Sequence, residues 1–259
     1  MKASFTPPAF FSFSPGAAEG LGSGSIRPFV FSRQIPHNRV PMKFEPAFFR
    51  TLEARLAKGA PGPAAQMTMA PSPRPGQRPF PETEMTSSKA AVMLLLYPRE
   101  GLIFLVLIRR ALTVQHHRDQ IGLPGGQVEG KETFEQAALR ETWEELGVRP
   151  EQVHVLGSLT PLEIPVSNFC IYPVAAFSEQ SPTFIPDPVE VAEVIELPLG
   201  HLLDPANIRR EKWVIRDIPV DVPFYAFGPH KIWGATAMVL AEFVEALKGL
   251  GTESPAPTI

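Results

Sequence analysis

The chain has 259 residues, a formal net charge of −3 and a pI near 6.1, which is long enough for one sizeable domain with appendages. That mild acidity argues against a nucleic-acid-binding surface, and no apolar run approaches the roughly 20 residues that a membrane-spanning helix needs. The single cysteine, Cys170, cannot form an intrachain disulfide and points to a reducing compartment, taken here as the cytoplasm; a small buried apolar role is expected for it.

Residues 1–39 are rich in Pro, Gly, Ser and Phe, contain one acid, Glu19, and read as a disordered tail. Few acids with scattered Arg is also a trait of transit peptides, but the Pro and Gly content works against the amphipathic helix they need. Met42 is an alternative start, which would make KFEPAFFRTLEARL the N-terminus. Residues 40–86 are read as a short helix and a linker. Glu45–Lys58 places Phe48, Leu52 and Leu56 on one helical face. Gly59–Glu84 is Pro-rich and is expected to be extended or wrapped on the surface, because Pro fixes φ and removes donors; such a stretch also suits partner binding.

A folded domain is expected over 87–249, followed by a polar tail at 250–259. Its strands are read at Lys89–Tyr97 and Leu102–Arg109 (a hairpin about Pro98–Gly101), Val153–Leu159, Phe169–Phe177 and Val191–Glu196. A helical turn follows at Leu199–Leu203, a second hairpin at Lys212–Ile215 and Val220–Ala226, and a closing amphipathic helix at Thr236–Leu247. Strands on both sides of a helix, with another helix at the end, imply an α/β or α+β sheet between helical layers.

Between the second and third strands lies the stretch that carries chemistry, Gly126–Val148, GQVEGKETFEQAALRETWEELGV. It reads as a loop entering a helix that stops at Gly147. Ala138, Leu139, Trp143 and Leu146 fall on one arc of that helix, expected to face the core. Glu141, Glu144 and Glu145, at i, i+3 and i+4, share a different arc about 100° wide. No Lys or Arg falls within that arc, so three mutually repelling carboxylates call for an outside compensator. Hard oxygen donors at this spacing suit Mg²⁺ or Mn²⁺, which suit a phosphate-bearing substrate. A bare E-x-x-E-E is ordinarily a solvated helix face. The Pro124-Gly125-Gly126 turn is expected to let backbone approach a ligand.

The full spacing resembles the Nudix box, G-x5-E-x7-R-E-U-x-E-E-x-G-U with U a bulky apolar residue. Gly126, Glu132, Arg140, Glu141, Glu144, Glu145, Gly147 and Val148 match it. Thr142 stands where the pattern has an apolar residue and bears on packing, not chemistry. The resemblance implies a Nudix-type α/β/α sandwich with a mixed β-sheet and a hydrolase acting on phosphorus-containing anhydrides. It implies metal ligation by Glu141, Glu144, Glu145 and the Gly125 carbonyl, which would activate a water and neutralise the leaving phosphate. Glu141 is a candidate general base. Glu132 and Arg140 look like supports that orient the ligands, or an ordinary surface ion pair.

The preceding segment, VLIRRALTVQHHRDQIGLPGG, looks like that of coenzyme A pyrophosphatases, L-L-T-x-R-S/A-x3-R-x3-G-x3-F-P-G-G. Arg110, Ala111 and Pro124–Gly126 match; Gln115, Asp119 and Leu123 depart, and Gln115 removes a cation that Arg118 would have to supply. Asp187–Pro205 and Val222–Thr236 also look similar to this branch. Arg109, Arg110 and Arg118 are the candidate contacts to the diphosphate or a 3′-phosphate, with strand-end solvation the alternative for the first two. His116 and His117 lie in the same loop, where a histidine is more often neither ligand nor base. One of Glu190, Glu193 and Glu196 would add a ligand or base, with Glu190 or Glu193 preferred. Trp213, Tyr225 and Trp233 are either stacking partners for adenine or core.

The expected activity is hydrolysis of coenzyme A or its derivatives to 3′,5′-ADP and 4′-phosphopantetheine, by a monomer or homodimer using Mg²⁺ or Mn²⁺. The alternatives are ADP-ribose or another nucleoside diphosphate derivative as substrate, slightly favoured by Gln115 and Asp119, and a non-catalytic nucleotide- or partner-binding module. Such a module usually loses its metal-binding glutamates, and here none is missing.

Overall fold

The computed structural model describes residues 30–32, 42–73, 87–112, 119–165, 167–215 and 217–250. In chain order these hold β1 (Val30–Ser32), α1 (Pro46–Leu56), α2 (Pro63–Met67), β2 (Ser88–Arg99), β3 (Leu102–Arg110), β4 (Ile121–Gly122), β5 (Gly125–Gln127) and α3 (Phe134–Leu146). There follow β6 (His154–Ser158), β7 (Leu162–Ile164), β8 (Phe169–Phe177), β9 (Val191–Pro198), α4 (Leu199–Leu203), β10 (Ile208–Ile215), β11 (Ile218–Phe227), β12 (His230–Trp233) and α5 (Gly234–Leu247).

β2 and β3 are apolar at almost every position because both of their faces are covered. Even-numbered residues of β3 (Phe104, Val106, Ile108) pack with Ala137, Ala138 and Leu146 of α3. Odd-numbered ones (Ile103, Leu105, Leu107) pack with Leu52 of α1 and Leu240 and Phe243 of α5. Among the described residues, nine strands form one sheet in the order β1-β9-β3-β2-β8-β6, with β4, β5 and β7 pairing off this path. The sheet is mixed: β2 runs parallel to β8 and antiparallel to β3, and β3 runs antiparallel to β9. This is the expected α/β/α sandwich. The second hairpin gains a third strand, giving the antiparallel sheet β10-β11-β12. Tyr225 belongs to the core beneath α5, whereas Trp213 and Trp233 meet edge to face, 5.0 Å between centroids, on the other side of the small sheet. Cys170 is buried, as expected.

The structure departs from the sequence reading at two places before residue 87. Val30–Ser32, inside the expected tail, pairs in parallel with Glu193–Ile195 of β9. The backbone edge that β9 offers there decides this, and composition alone does not report it. The second departure is at the Pro-rich stretch, whose first half is folded onto the domain. α2 packs against α5, and Met69 and Gln66 are buried. Glu242 of α5, fully buried, is the anchor: it accepts from Gly62 N (2.9 Å), Thr160 N (3.2 Å) and Gln66 Nε2 (2.8 Å). Residues 74–86 lie outside the described set.

Candidate active site

The Pro124-Gly125-Gly126 turn threads between β2 and α3. Met93 N donates to Pro124 O (2.8 Å), and Gly125 and Gly126 sit opposite Val92 and Ala91. Gly125 has φ +152°, and a Cβ there would lie 2.3 Å from Ala91 O; a Cβ on Gly126 would lie 2.4 Å from the Glu141 carboxyl carbon. Glycine is required because the protein's own strand and its own carboxylate approach this closely.

Thr133 and Gln136 form a reciprocal capping box at the start of α3, and Gly147, with φ +71°, closes its end by donating to Trp143 O. The buried face is Ala137, Ala138, Thr142, Glu145 and Leu146. Trp143 is 53% exposed, so the helix is rotated from the arc that apolarity alone indicated. The reason is Glu145. Its carboxylate, 1% exposed, points inward, where Oε2 accepts from Gly125 N (2.8 Å) and Oε1 from Arg110 Nη1 (3.0 Å). Facing Glu145 inward carries Thr142 in with it, and the Thr142 hydroxyl is satisfied by donating to Ala138 O at 2.7 Å.

Two arginines compensate the acidic arc. Arg140, just outside the arc, donates to Glu141 Oε1 (2.8 Å) and Glu144 Oε2 (2.9 Å). It also grips Glu132 through two nitrogens (2.8 and 3.1 Å) and reaches Gln127 O (3.0 Å). Glu132 is in turn tied to Glu129 N at 2.7 Å, and its pKa is lowered chiefly by the Arg140 hydrogen bonds. No cation lies within the arc itself, and the compensation comes from outside it: Arg140 and Arg110 reach the glutamates because a guanidinium on a long stem crosses from the neighbouring position and from the adjoining strand.

Burial pushes the Glu145 pKa up to about 8 and raises that of Glu141, and the Glu190 charge adds to both shifts. As placed, no group of three or more His, Cys, Asp or Glu side chains among the described residues converges on one ligating point. The donor set nevertheless fits a hard divalent cation. Carboxylate oxygens crowd one helix face, and the buried Glu145 needs positive charge beside it to stay ionised.

The downstream acids separate by partner. Glu193 is bound by Arg109, and Glu196 by Arg99 and the Tyr97 hydroxyl (3.0 Å), on the far end of β2. Glu190 alone of the three acts on the α3 acids, and its backbone carbonyl takes the Ala111 N–H at the end of β3 (2.8 Å). Its proximity depends on how the 187–191 turn packs, so spacing could not single it out. Arg110 points at Glu145, whereas Arg109, on the opposite face of the sheet, is held by Glu193 and Asp119. Gln115, His116, His117 and Arg118 lie outside the described residues. The two remaining departures from the resembling pattern have local explanations. Asp119 has φ +59°, a conformation that glycine takes freely and Asp tolerates, and Leu123 is a buried apolar substitute for Phe.

A family model for the NUDIX domain matches residues 87–216, half of the chain. The chain belongs to the Nudix hydrolase family. It is 32% identical over 172 residues to the mitochondrial coenzyme A diphosphatase NUDT8 of Homo sapiens, covering 65% of this chain and 72% of that protein. It is 28% identical over 171 residues to the uncharacterized Nudix hydrolase NudL of Photorhabdus laumondii, covering 66% of this chain and 91% of the relative. A crystal structure of a MutT/nudix family protein from Enterococcus faecalis aligns at 20% identity and a TM-score of 0.44, over 79% of this chain and 74% of that one. This Nudix hydrolase is therefore an enzyme of pyrophosphate bonds, in a family that uses divalent metal ions.

Proposed function

We propose that this Nudix hydrolase cleaves the diphosphate of coenzyme A or its derivatives, giving 3′,5′-ADP and 4′-phosphopantetheine, with Mg²⁺ or Mn²⁺. The observation that carries this reading is the 32% identity over 172 residues to a coenzyme A diphosphatase. Glu141, Glu144 and Glu145, with the Gly125 carbonyl, are the residues that would hold the metal. Bound there, a divalent cation would neutralise diphosphate charge and acidify a water for attack on phosphorus.

The chain's own residues do the rest. Arg140 and Glu132 keep Glu141 and Glu144 aimed from the helix face. Gly125 N–H and Arg110 hold Glu145 in its buried place, where a bound cation would keep it ionised. Glu141 or Glu190 is the group that takes the proton of the attacking water. Arg110 and Arg118 meet the substrate phosphates; Arg109, bound to Glu193 and Asp119 on the opposite face of the sheet, does not. The enzyme works in the cytoplasm as a monomer or homodimer.

A 3′-phosphate subsite needs at least one added cation, worth about 1.5–3 kcal/mol when charge-assisted. At about 1.4 kcal/mol per decade, that is roughly a tenfold to hundredfold preference for coenzyme A over its 3′-dephospho form. The test is kcat/KM for coenzyme A, dephospho-coenzyme A, ADP-ribose, NADH and diadenosine polyphosphates, measured side by side. Arg110→Ala or Arg118→Ala should narrow the preference if either supplies the cation. Tenfold better hydrolysis of ADP-ribose than of coenzyme A would replace this reading with the ADP-ribose one, which Gln115 favours by removing a cation.

A further inference from the structure

On the face of the sheet away from α3, a chain of polar groups leads from β12 to the base of the 110–120 loop. His230 is 8% exposed, and its Nε2 has no aligned hydrogen-bond partner, although Glu193 Oε1 lies 3.3 Å away. Glu193, 6% exposed, accepts at its other oxygen from Arg109 Nε at 2.8 Å. Arg109 Nη1 continues to Asp119 Oδ1 at 2.8 Å. Burial lowers the His230 pKa, so a neutral ring faces Glu193 and leaves the Glu193 charge to Arg109.

This chain ends where the active site begins. Asp119 N donates to Arg110 O (3.1 Å), and Arg110 N donates to Gln120 O (2.9 Å), so the loop is closed at Arg110 itself. Arg109 and Arg110 are successive strand residues and so point to opposite faces, with Arg110 on Glu145; the pairing of β3 with β9 also shifts register between them. Asp119 stands at φ +59°. Glycine would occupy that backbone as well, but only the Asp119 carboxylate, 61% exposed, can bind Arg109 from there.

We propose that His230, Glu193, Arg109 and Asp119 are positioning residues for the hydrolysis: they clamp the base of the 110–120 loop and so set Arg110 against Glu145. The inference rests on Arg110 and Glu145 belonging to the active site. It goes further in giving a role to a histidine and an aspartate outside the Nudix box.

The test uses the full chain and Asp119→Gly, which removes the carboxylate but keeps the backbone angle. Two measurements are made: steady-state kinetics on whichever of coenzyme A and ADP-ribose the wild type hydrolyses faster, and calorimetric binding of ADP with Mg²⁺. The expected result is a KM about tenfold higher, kcat within about twofold of wild type, weaker ADP binding and an unchanged Tm. Arg109→Gln should do the same, and the double variant should be no worse than either single one, because both break one link. His230→Gln and Glu193→Gln should give smaller shifts in the same direction. Wild-type KM and ADP affinity in Asp119→Gly, or effects of Asp119→Gly and Arg109→Gln that multiply, would overturn the proposal. A preference for ADP-ribose would alter the substrate assigned above and leave this result readable.

Discussion

At the residue scale, the site is governed by how each carboxylate is held. Among the described residues Glu144, 56% exposed on its side chain, is bonded to Arg140 alone, so Glu144→Gln should leave folding intact, checked by circular dichroism, while turnover falls by orders of magnitude. Glu145→Gln should cost a similar loss of turnover, with some stability too, because Gly125 N–H and Arg110 both lose a charged acceptor. EDTA should abolish activity, and Mg²⁺ or Mn²⁺ should restore it; full turnover in a metal-stripped sample would refute the mechanism. Thr142→Val is the opposite kind of change. The hydroxyl bonds only to a carbonyl within its own helix, so replacing it with a methyl should move stability by no more than about 1 kcal/mol in thermal unfolding.

At the element scale, the docking of α2 depends on one buried carboxylate. Glu242→Ala would leave Gly62 N–H and Thr160 N–H without their acceptor inside the protein, and the Gln66 amide with the Thr160 carbonyl alone. Buried donors left unpaired cost about 1–3 kcal/mol each, with partial relief by water, so a loss of roughly 3 kcal/mol in unfolding free energy is expected. Limited proteolysis should then cut first within residues 59–73, where the segment is released. A loss under about 1 kcal/mol would mean that apolar contacts such as Met69 hold the segment by themselves. The orientation of α3 belongs to this scale as well. An amphipathic helix ordinarily turns its apolar face inward, but here the fit of Glu145 to Gly125 and Arg110 outweighs the burial of Trp143.

At the scale of the whole molecule, β1 is the one described element contributed by the first 39 residues, and it adds three residues to the edge of β9. A chain starting at Met42 keeps Met42 in the core and its carbonyl bonded to Ile103 N (2.9 Å), so it should fold. Its Tm is expected to fall by a few degrees from the loss of the short strand, with kcat/KM near that of the full chain. β1 sits opposite Glu193, so a KM rise in the truncated chain resembling that of Asp119→Gly would tie the edge strand to the positioning chain.

The sequence by itself determined the acidic helix, its stop at Gly147, and most strands of the sheet to within a few residues. These follow from local periods and from the spacing of the box. It also identified the Nudix resemblance and the Thr142 position as one of packing. Only the tertiary structure decided that Arg140 and Arg110 are the cations over the acidic arc, that Trp143 faces out, and that the Glu190 charge bears on Glu141 and Glu145. It alone decided that half of a Pro-rich stretch is anchored on Glu242. Each of these depends on contacts between segments far apart in the chain, such as Arg110 with Glu145 or Gly62 with Glu242. Periodicity is a property of neighbours along the chain. The burial of a charge is settled by what the rest of the fold brings to it.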